Sequence, residues 1–271
     1  MKNFSVFILL FVSLTNAFSG NVDTVFVQSR SMNKSLPNLV ITPDYYSNHK
    51  DGFPVLYLLH GAGNDYAEWL RHVPDLKDYS DKYNFIIVCP DAGRTSWYFD
   101  SPIDHAMKYE TYIYSELVSW IDANYRTIPN RSKRAIVGLS MGGHGAFYLA
   151  FRHQNVWGAA GSIAGAVDIR PFPNNWDIAN RLGSYAQHPD NWEKNTVVNL
   201  LYLLNGSNMT LLFDCGTSDF FYDANRRLHQ MMLERNIPHT YIERPGGHEP
   251  NYWKVAIKYQ LFFINEFFSV N

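Results

Sequence analysis

One serine in the middle of the chain lies in a short motif that could do nucleophilic chemistry. Residues 138–142 read Gly-Leu-Ser-Met-Gly, with Ser140 at the centre, an apolar run before it and a helix-like run after it. A serine on a sharp turn between a strand and a helix is exposed as a nucleophile, and the first N–H groups of that helix face any negative charge that forms. The flanking glycines remove side chains that would clash in the turn. The motif therefore predicts a serine hydrolase.

A serine nucleophile needs a histidine base and a carboxylate that orients the histidine. Among ten histidines, His248 follows the last strand-like run in a Gly-Gly-His loop. Asp219 is the favoured carboxylate because it lies in a loop and can leave the sheet, and Asp214, on the strand before it, is the alternative. The order Ser140, Asp219, His248 is that of α/β-hydrolases.

Two backbone amides are predicted to stabilise the negative charge that develops on an attacked carbonyl oxygen. One is the N–H of Met141, at the start of the helix after the serine. The other belongs to the small-residue loop at 60–65, where Ala62 is favoured and Gly61 is the alternative. His60 and His144 are expected to orient this loop and the helix after Ser140.

The elements that must position these residues alternate between strand-like and helix-like runs. An antiparallel pair is predicted at 23–29 and 36–42, and a helical apolar face is predicted within 109–121. Six further apolar strands are predicted at 55–59, 85–88, 135–137, 159–163, 210–213 and 240–243. The expected fold is a single doubly wound, mostly parallel α/β sheet with helices on both faces, and such sheets carry their sites beyond the carboxyl ends of the strands.

Composition limits the possible partners. The 271 residues are 46% hydrophobic, and 23 basic against 25 acidic side chains leave a net charge of −2 without a basic run. These values favour one globular domain and no nucleic-acid partner. No metal site is predicted, since His248 lacks the spacing of a zinc-protease motif. Cys89 and Cys215 are predicted to be free buried thiols, because their strands would not be neighbours in this fold.

The first residues resemble a secretory signal peptide. A short basic start is followed by an apolar run at 4–14, too short to span a bilayer, and by small residues up to Ala17. Residues 1–17 are therefore predicted to be cleaved, leaving 18–271 as the mature domain. This predicts a secreted or periplasmic protein without a stable membrane anchor.

Four motifs together resemble a known family. The loop at 59–65, the serine motif at 138–143, the stretch 214–220 and the Gly-Gly-His at 246–248 look like the esterase D branch of the α/β-hydrolases. That branch includes S-formylglutathione hydrolases, tributyrin esterases, feruloyl and acetyl xylan esterases, and the antigen 85 mycolyltransferases. The resemblance spans roughly residues 23 to 268. It implies a cofactor-independent esterase with Ser140 as nucleophile, Asp219 as acid and His248 as base.

Substrate preference is expected to depend on aromatic loops near the serine. Trp97 and Tyr98 lie in one such loop, Trp176 lies in a long segment at 165–209 that is expected to form a partial cap, and Phe220 follows Asp219. These rings suit a flat acyl group or a sugar, and simple packing is the alternative. Export and the family resemblance favour feruloyl, acetyl or short-chain acyl esters of carbohydrates. The other readings are an acyltransferase that uses a sugar acceptor, and a binding protein, which is disfavoured because all three candidate catalytic residues are present.

Overall fold

The computed structural model describes residues 21–270, so the predicted signal peptide at 1–17 lies outside the described residues. Within the described range, eight strands form one sheet. Their bounds are β1 Val22–Ser29, β2 Lys34–Ile41, β3 Val55–Leu59, β4 Ile86–Pro90, β5 Arg134–Leu139, β6 Ala159–Ile163, β7 Thr210–Gly216 and β8 Thr240–Arg244.

The strand order across the sheet is β1-β2-β4-β3-β5-β6-β7-β8. β1 pairs antiparallel with β2, β2 pairs antiparallel with β4, and every pairing from β4 to β8 is parallel. The central strands β3, β4, β5 and β6 are buried along their whole length. Parallel strands covered on both faces read as continuous apolar runs, which is why these strands could be predicted. The predicted mostly parallel sheet is confirmed.

Helices fill the connections between the strands. Their bounds are α1 Glu68–His72, α2 Leu76–Tyr83, α3 Tyr109–Thr111, α4 Val118–Asn124, α5 Met141–Arg152, α6 Ile178–Leu182, α7 Pro189–Asn195, α8 Tyr222–Glu234 and α9 Pro250–Val270. A π-helical turn, Tyr112–Leu117, joins α3 to α4, and short 3-10 helices cover Asp44–Ser47, Arg131–Lys133 and Val197–Leu204. Ile113 and Leu117, on the predicted apolar face within 109–121, are fully buried.

The sheet has helices on both faces, as predicted. Consecutive residues of a strand point to opposite faces. In β6, a Cβ atom on Gly161 would meet the Gln260 side chain of α9, whereas the Ser162 side chain lies against Gly143 of α5. Helices α9 and α5 therefore cover opposite faces of the same strand.

The two cysteines lie on strands that do not pair. Cys89 is in β4 and Cys215 is in β7, and strands β3, β5 and β6 separate them in the sheet. Both are free and buried, which confirms the prediction. Burial raises the pKa of each thiol above its ordinary value, so both stay protonated at neutral pH.

The long segment at 165–209, called the cap below, carries α6, α7 and the 3-10 helix Val197–Leu204. Thr95 and Trp97, in the loop after β4, hold one part of it. Thr95 Oγ1 donates to Asp177 Oδ2 at 3.0 Å, and Trp97 Nε1 donates to the carbonyl oxygen of Trp176 at 2.9 Å. No helix within residues 21–270 combines the length and the apolar character that crossing a membrane requires.

Candidate active site

Ser140 lies on the turn between β5 and α5 in a backbone conformation that few non-glycine residues adopt. Its φ is 58° and its ψ is −116°. Its N–H donates to Ile163 O at 2.9 Å, and its carbonyl oxygen accepts from Ala166 N at 3.2 Å, so β6 and the residues after it hold the turn. Strain of this kind persists only where the surrounding structure imposes it, and it clusters at functional sites.

The glycines of the serine motif allow a close approach of backbone to backbone. A Cβ atom on Gly142 would lie 2.5 Å from the carbonyl oxygen of Leu59 and 2.6 Å from that of His60. A Cβ atom on Gly138 would overlap the backbone of Gly142. Because neither glycine has a side chain, α5 begins directly against the end of β3, and Ser140 lies beside the loop that follows this strand.

Three side chains from separate loops form a continuous chain of contacts. His248 Nδ1 donates to Asp219 Oδ2 at 2.8 Å, and Ser140 Oγ lies 3.0 Å from His248 Nε2. Asp219 is 6% exposed, and its other oxygen accepts from Phe221 N at 2.8 Å, which fixes the carboxylate. The carboxyl ends of parallel strands meet at one edge of the sheet, so the loops after β5, β7 and β8 converge here. The structure thus brings together the three residues singled out in the sequence.

Asp214, the alternative carboxylate, has different partners. It is fully buried on β7, where Oδ2 accepts from Gln260 Nε2 at 3.0 Å and Oδ1 lies 3.5 Å from Arg244 Nη2. Burial raises the pKa of the Asp214 carboxyl to about 6, although Gln260 and Arg244 act in the opposite direction. Asp219, in the loop, is the carboxylate that reaches His248.

Two amides near Ser140 are available to a ligand. Met141 is the first residue of α5, and the first N–H groups of a helix have no acceptor one turn earlier. Within residues 21–270, the N–H of Ala62 also has no acceptor. The N–H of Gly61, in contrast, donates to Glu68 Oε2 at 2.6 Å. The geometry favours Ala62 over Gly61 as the second donor.

Glu68 is a site residue that sequence reasoning missed. It is the first residue of α1 and is 1% exposed, and its second oxygen accepts from Asn64 Nδ2 at 2.5 Å. Burial raises the pKa of its carboxyl, and the N–H of Gly61 opposes this shift. The only signal in the sequence is a carboxylate seven residues after Gly61, a spacing that also fits an ordinary surface helix.

His60 holds the same loop, as expected from the sequence. Its Nδ1 lies 2.9 Å from Gly61 O, and its Nε2 accepts from Ala92 N at 3.0 Å, an arrangement that requires the neutral imidazole with the proton on Nδ1. Burial lowers the pKa of His60, which keeps the imidazole neutral. The carbonyl oxygen of His60 accepts from the Tyr98 hydroxyl at 2.9 Å.

The prediction that Trp97 and Tyr98 contact a substrate is corrected by their burial. Trp97 is 1% exposed and Tyr98 is fully buried, so neither ring is open to solvent beside Ser140. Both residues lie in a turn and have positive φ, 58° and 62°. Gly145 of α5 lies directly against the Tyr98 ring. Their contacts are with neighbouring residues of the site: Tyr98 bonds the His60 carbonyl, and Trp97 packs against His144.

Trp176 and Phe220 form an aromatic wall at the edge of the site. Their rings stack with centroids 5.8 Å apart and planes 20° apart. The Phe220 ring lies 4.4 Å from the His248 ring and is 53% exposed, so it is open to a bound molecule. These two residues are the predicted substrate-binding aromatics that the structure leaves accessible.

His144 links α5 to the cap. Its Nε2 lies 2.9 Å from the carbonyl oxygen of Asn195, at the end of α7, and its ring packs edge-on against Trp97. Burial lowers the pKa of His144 to about 4, so the imidazole is neutral in the range where most enzymes work. The part of the chain that the structure describes contains no cluster of three or more His, Cys, Asp or Glu side chains placed to hold a metal ion.

The strand order, the turn that carries Ser140 and the loops that carry Asp219 and His248 define an α/β-hydrolase fold. Residues 29–264 match the family model described as putative esterase. The chain belongs to this esterase family.

Individual relatives agree with the family. An esterase of Mycobacterium tuberculosis is 34% identical over 235 residues, which cover 77% of this chain and 51% of the relative. An acetyl esterase of Caldicellulosiruptor saccharolyticus is 25% identical over 219 residues, covering 76% and 81%. Among solved structures, a ferulic acid esterase superposes with a TM-score of 0.81 at 30% identity, covering 93% of this chain and 99% of that chain. The chain spans about half the length of the mycobacterial esterase. These matches confirm the predicted resemblance to the esterase branch of the α/β-hydrolases.

Proposed function

We propose that this protein is a serine carboxylic ester hydrolase that works through an acyl-enzyme on feruloyl, acetyl or short-chain acyl esters of carbohydrates. The observation that carries the proposal is the unbroken path of contacts from Asp219 through His248 to Ser140. The free amides of Ala62 and Met141 beside Ser140 supply the second requirement, a place for a negatively charged oxygen.

The first half of the reaction forms the acyl-enzyme. His248 Nε2 takes the proton of Ser140 as Oγ attacks the ester carbonyl, and Asp219 stabilises the imidazolium that results. The carbonyl oxygen becomes an oxyanion that accepts hydrogen bonds from Ala62 and Met141. When the tetrahedral intermediate collapses, the alcohol leaves with the proton that His248 returns.

Water completes the cycle. His248 removes a proton from a water molecule as the water oxygen attacks the acyl carbon, and the same two amides receive the second oxyanion. The Ser140–acyl bond then breaks, Ser140 regains its proton from His248, and the carboxylic acid leaves. No step in this sequence requires a cofactor.

The aromatic wall supports an acyl group with a flat ring. Phe220 is half exposed beside His248 and stacks on Trp176, so a feruloyl ring can extend the stack while its ester carbon lies at Ser140. Two relatives, an acetyl esterase and a ferulic acid esterase, are named for the same two acyl classes.

Export fits a substrate of this kind. We propose residues 1–17 as a cleaved signal peptide and residues 18–271 as the mature domain, secreted or periplasmic. Amino-terminal sequencing of protein from the culture fluid or periplasm is expected to begin at Phe18. A start at Met1 in the cell pellet would contradict the export proposal and leave the esterase proposal intact.

The test compares the purified protein with its Ser140→Ala variant on p-nitrophenyl acetate and methyl ferulate, with and without a xylo-oligosaccharide acceptor. Turnover of both esters that disappears in Ser140→Ala supports the hydrolase with an aromatic-acyl preference. Turnover of acetate alone narrows the substrate to short acyl groups. Product that forms only with the acceptor identifies an acyltransferase instead, and no turnover of any ester refutes the proposal for these classes.

A further inference from the structure

We propose that Glu68 is a positioning residue that presents the Ala62 amide to the oxyanion, by taking the Gly61 amide out of the site. The inference rests on the proposed function, because it assigns a role within the same site. The Glu68 side chain has no hydrogen bond to Ser140 or His248. Its proposed effect passes through the backbone of the loop that joins β3 to α1.

Among the residues that the structure describes, the hydrogen bonds of the loop after β3 leave the N–H of Ala62 without an acceptor. Trp69 Nε1 donates to the Leu59 carbonyl at 3.0 Å, and Gly63 N donates to the Arg94 carbonyl at 2.7 Å. Between these two anchors, His60 and Tyr98 satisfy further backbone oxygens, as described above. Within the described part of the chain, Ala62 N–H is left without an acceptor while the amides of both its neighbours are bonded.

Gly61 is close to both the Glu68 carboxylate and Ser140. A Cβ atom on Gly61 would be 3.5 Å from Glu68 Oε2 and 3.6 Å from the Ser140 Cβ. The Gly61 N–H points to Glu68 Oε2, which orients the His60–Gly61 peptide plane. The Ala62 N–H lies in the next plane, whose Gly61 carbonyl oxygen lies 2.9 Å from His60 Nδ1 and accepts from Asn64 N at 3.3 Å. Glu68 therefore fixes the first of two consecutive planes, and only the two torsions of Gly61 separate it from the plane that carries the free amide.

Both carboxylate oxygens accept a hydrogen bond in this arrangement, and the bond from Gly61 is the one that orients the loop next to Ser140. Oε2 accepts from Gly61 N and Oε1 accepts from Asn64 Nδ2, so the side chain acts as a double acceptor that spans the turn. A glutamine at this position has one acceptor oxygen and one donor NH₂ group, so it cannot accept from both partners. With Asn64 oriented as it is here, the glutamine NH₂ group then faces either the Gly61 N–H or the Asn64 NH₂ group, so two donors meet and one hydrogen bond is lost.

Electrostatics and geometry make opposite predictions for that variant. A negative charge next to the oxyanion disfavours the tetrahedral intermediate, so removing the Glu68 charge alone raises kcat. Loss of the double acceptor lets the loop rotate and weakens the Ala62 hydrogen bond, which lowers kcat. The proposal requires the second outcome.

The experiment measures Glu68→Gln in three ways. We expect kcat for p-nitrophenyl acetate to fall by about tenfold to a hundredfold with KM changed by less than about twofold, since loss of a full oxyanion donor costs about 10²-fold to 10³-fold. The inhibition constant of a trifluoromethyl ketone, which forms an oxyanion on Ser140, is expected to rise by the same factor. Hydrogen exchange of the amides at 60–64 is expected to become faster in the free protein.

Glu110→Gln is the matched control, because Glu110 is also a buried carboxylate but bonds Tyr148, Arg152 and His153 away from this loop. Its kcat per folded molecule is expected to stay within about twofold of the wild-type value. Asn64→Ala, which leaves the Gly61 contact intact, is expected to lower kcat by less than about fivefold. Thermal unfolding and titration of reactive Ser140 with a fluorophosphonate correct each rate for unfolded protein.

The outcomes separate this inference from the proposed function. Wild-type turnover with an unchanged or higher kcat in Glu68→Gln overturns the inference and leaves the esterase intact. A drop in kcat that disappears after correction for folded protein, or unchanged exchange at 60–64, also overturns it. If the wild type hydrolyses no ester, the proposed function fails, and the exchange measurement still decides whether Glu68 fixes the loop.

A second variant applies if Glu68→Gln does not fold. Glu68→Asp keeps the charge but is one methylene shorter, and it is expected to show the same loss of kcat and the same faster exchange.

Discussion

The two regions that flank Ser140 and His248 are built differently. On one side, the loop after β3 is fixed by hydrogen bonds from buried polar side chains, including Glu68 and His60. On the other side, the aromatic wall of Trp176 and Phe220 is held by ring stacking and is partly open to solvent. The first side fixes the positions of individual atoms, as bond making requires, and the second offers a surface that different groups can contact. Substitutions on the first side should change kcat, whereas substitutions on the second should change the choice of substrate.

The largest effect is expected from removal of the proposed nucleophile, which lies next to the loop after β3. Ser140→Ala is expected to lower kcat by about 10⁴-fold or more for acetate and ferulate esters alike, because the proposed mechanism forms its covalent bond at this serine with either ester. Steady-state rates on purified protein check this. Equal loss on both esters is the critical result, and a variant that still hydrolyses one of them would place that chemistry elsewhere.

The next largest effect separates the two carboxylates at the end of β7. Asp219→Asn is expected to lower kcat by about 10³-fold to 10⁴-fold, because a single acceptor oxygen is left for Phe221 N and His248 Nδ1 and the charge that stabilises the imidazolium is lost. Asp214, within β7, is bonded to Gln260 instead of His248, so kcat of Asp214→Asn is expected to stay within about fivefold of the wild-type value. A larger loss of kcat in the Asp214 variant than in the Asp219 variant would reverse the assignment.

Asp214 should instead affect the pH dependence of stability. Its folded pKa, about 6, lies above the ordinary value of 3.8, so the folded protein binds this proton more tightly than the unfolded chain does. Its contribution is therefore full below pH 4 and is lost as the pH rises through 6. Relative to Asp214→Asn, the free energy of unfolding of the wild type is expected to fall by about 3 kcal/mol over this range. Urea unfolding at pH 4 and pH 7.5 measures the difference, and parallel pH profiles would contradict it.

The aromatic wall is expected to act on selectivity. Trp176→Ala should lower kcat/KM for methyl ferulate by about tenfold and that for p-nitrophenyl acetate by less than about threefold, since only the larger acyl group reaches the stacked rings. Trp97→Phe is the companion variant, because it keeps a buried ring but removes the N–H that bonds the Trp176 carbonyl. Its effect should have the same direction and be smaller. Equal losses of kcat/KM for the two esters would contradict a role in selectivity and would mean that the aromatic wall affects all substrates alike.

The smallest effect concerns backbone strain at the nucleophile. Ser140 has φ 58° and ψ −116°, which glycine adopts more easily than alanine. Ser140→Gly is therefore expected to be the more stable of the two, with a free energy of unfolding about 1 kcal/mol higher than that of Ser140→Ala. Chemical denaturation of the two inactive variants gives the comparison, and equal stability would mean that the turn stores no strain.

The sequence predicted the parts of the site that local patterns encode. The serine motif, its flanking strand and helix, and the loops that carry Asp219 and His248 each appear within a few residues of chain. Parallel-strand topology then places those loops at one edge of the sheet, which is why the three side chains could be grouped.

Two features could not be predicted, because they depend on contacts between distant elements. Tyr98 is buried because its ring packs against Gly145 of α5, at a turn where Trp97 and Tyr98 both have positive φ, and the sequence of an aromatic loop carries no sign of that turn. Glu68 looks like any acidic residue at the start of a helix. Its role depends on how the loop after β3 folds back on α1, which only the structure reveals.

The bond between Trp97 and the backbone of residue 176 has a consequence for how this protein can diversify. The acceptor is a main-chain oxygen, which every amino acid supplies. The hydrogen bond from Trp97 can therefore form whichever side chain residue 176 carries. The positive φ of 48° at residue 176 disfavours β-branched residues there but leaves other choices open. A substitution at this position is therefore expected to change the side chain of the aromatic wall while the hydrogen bond from Trp97 to the backbone remains. Under the proposed function, such a change is expected to alter the choice of substrate without altering Ser140, Asp219 or His248.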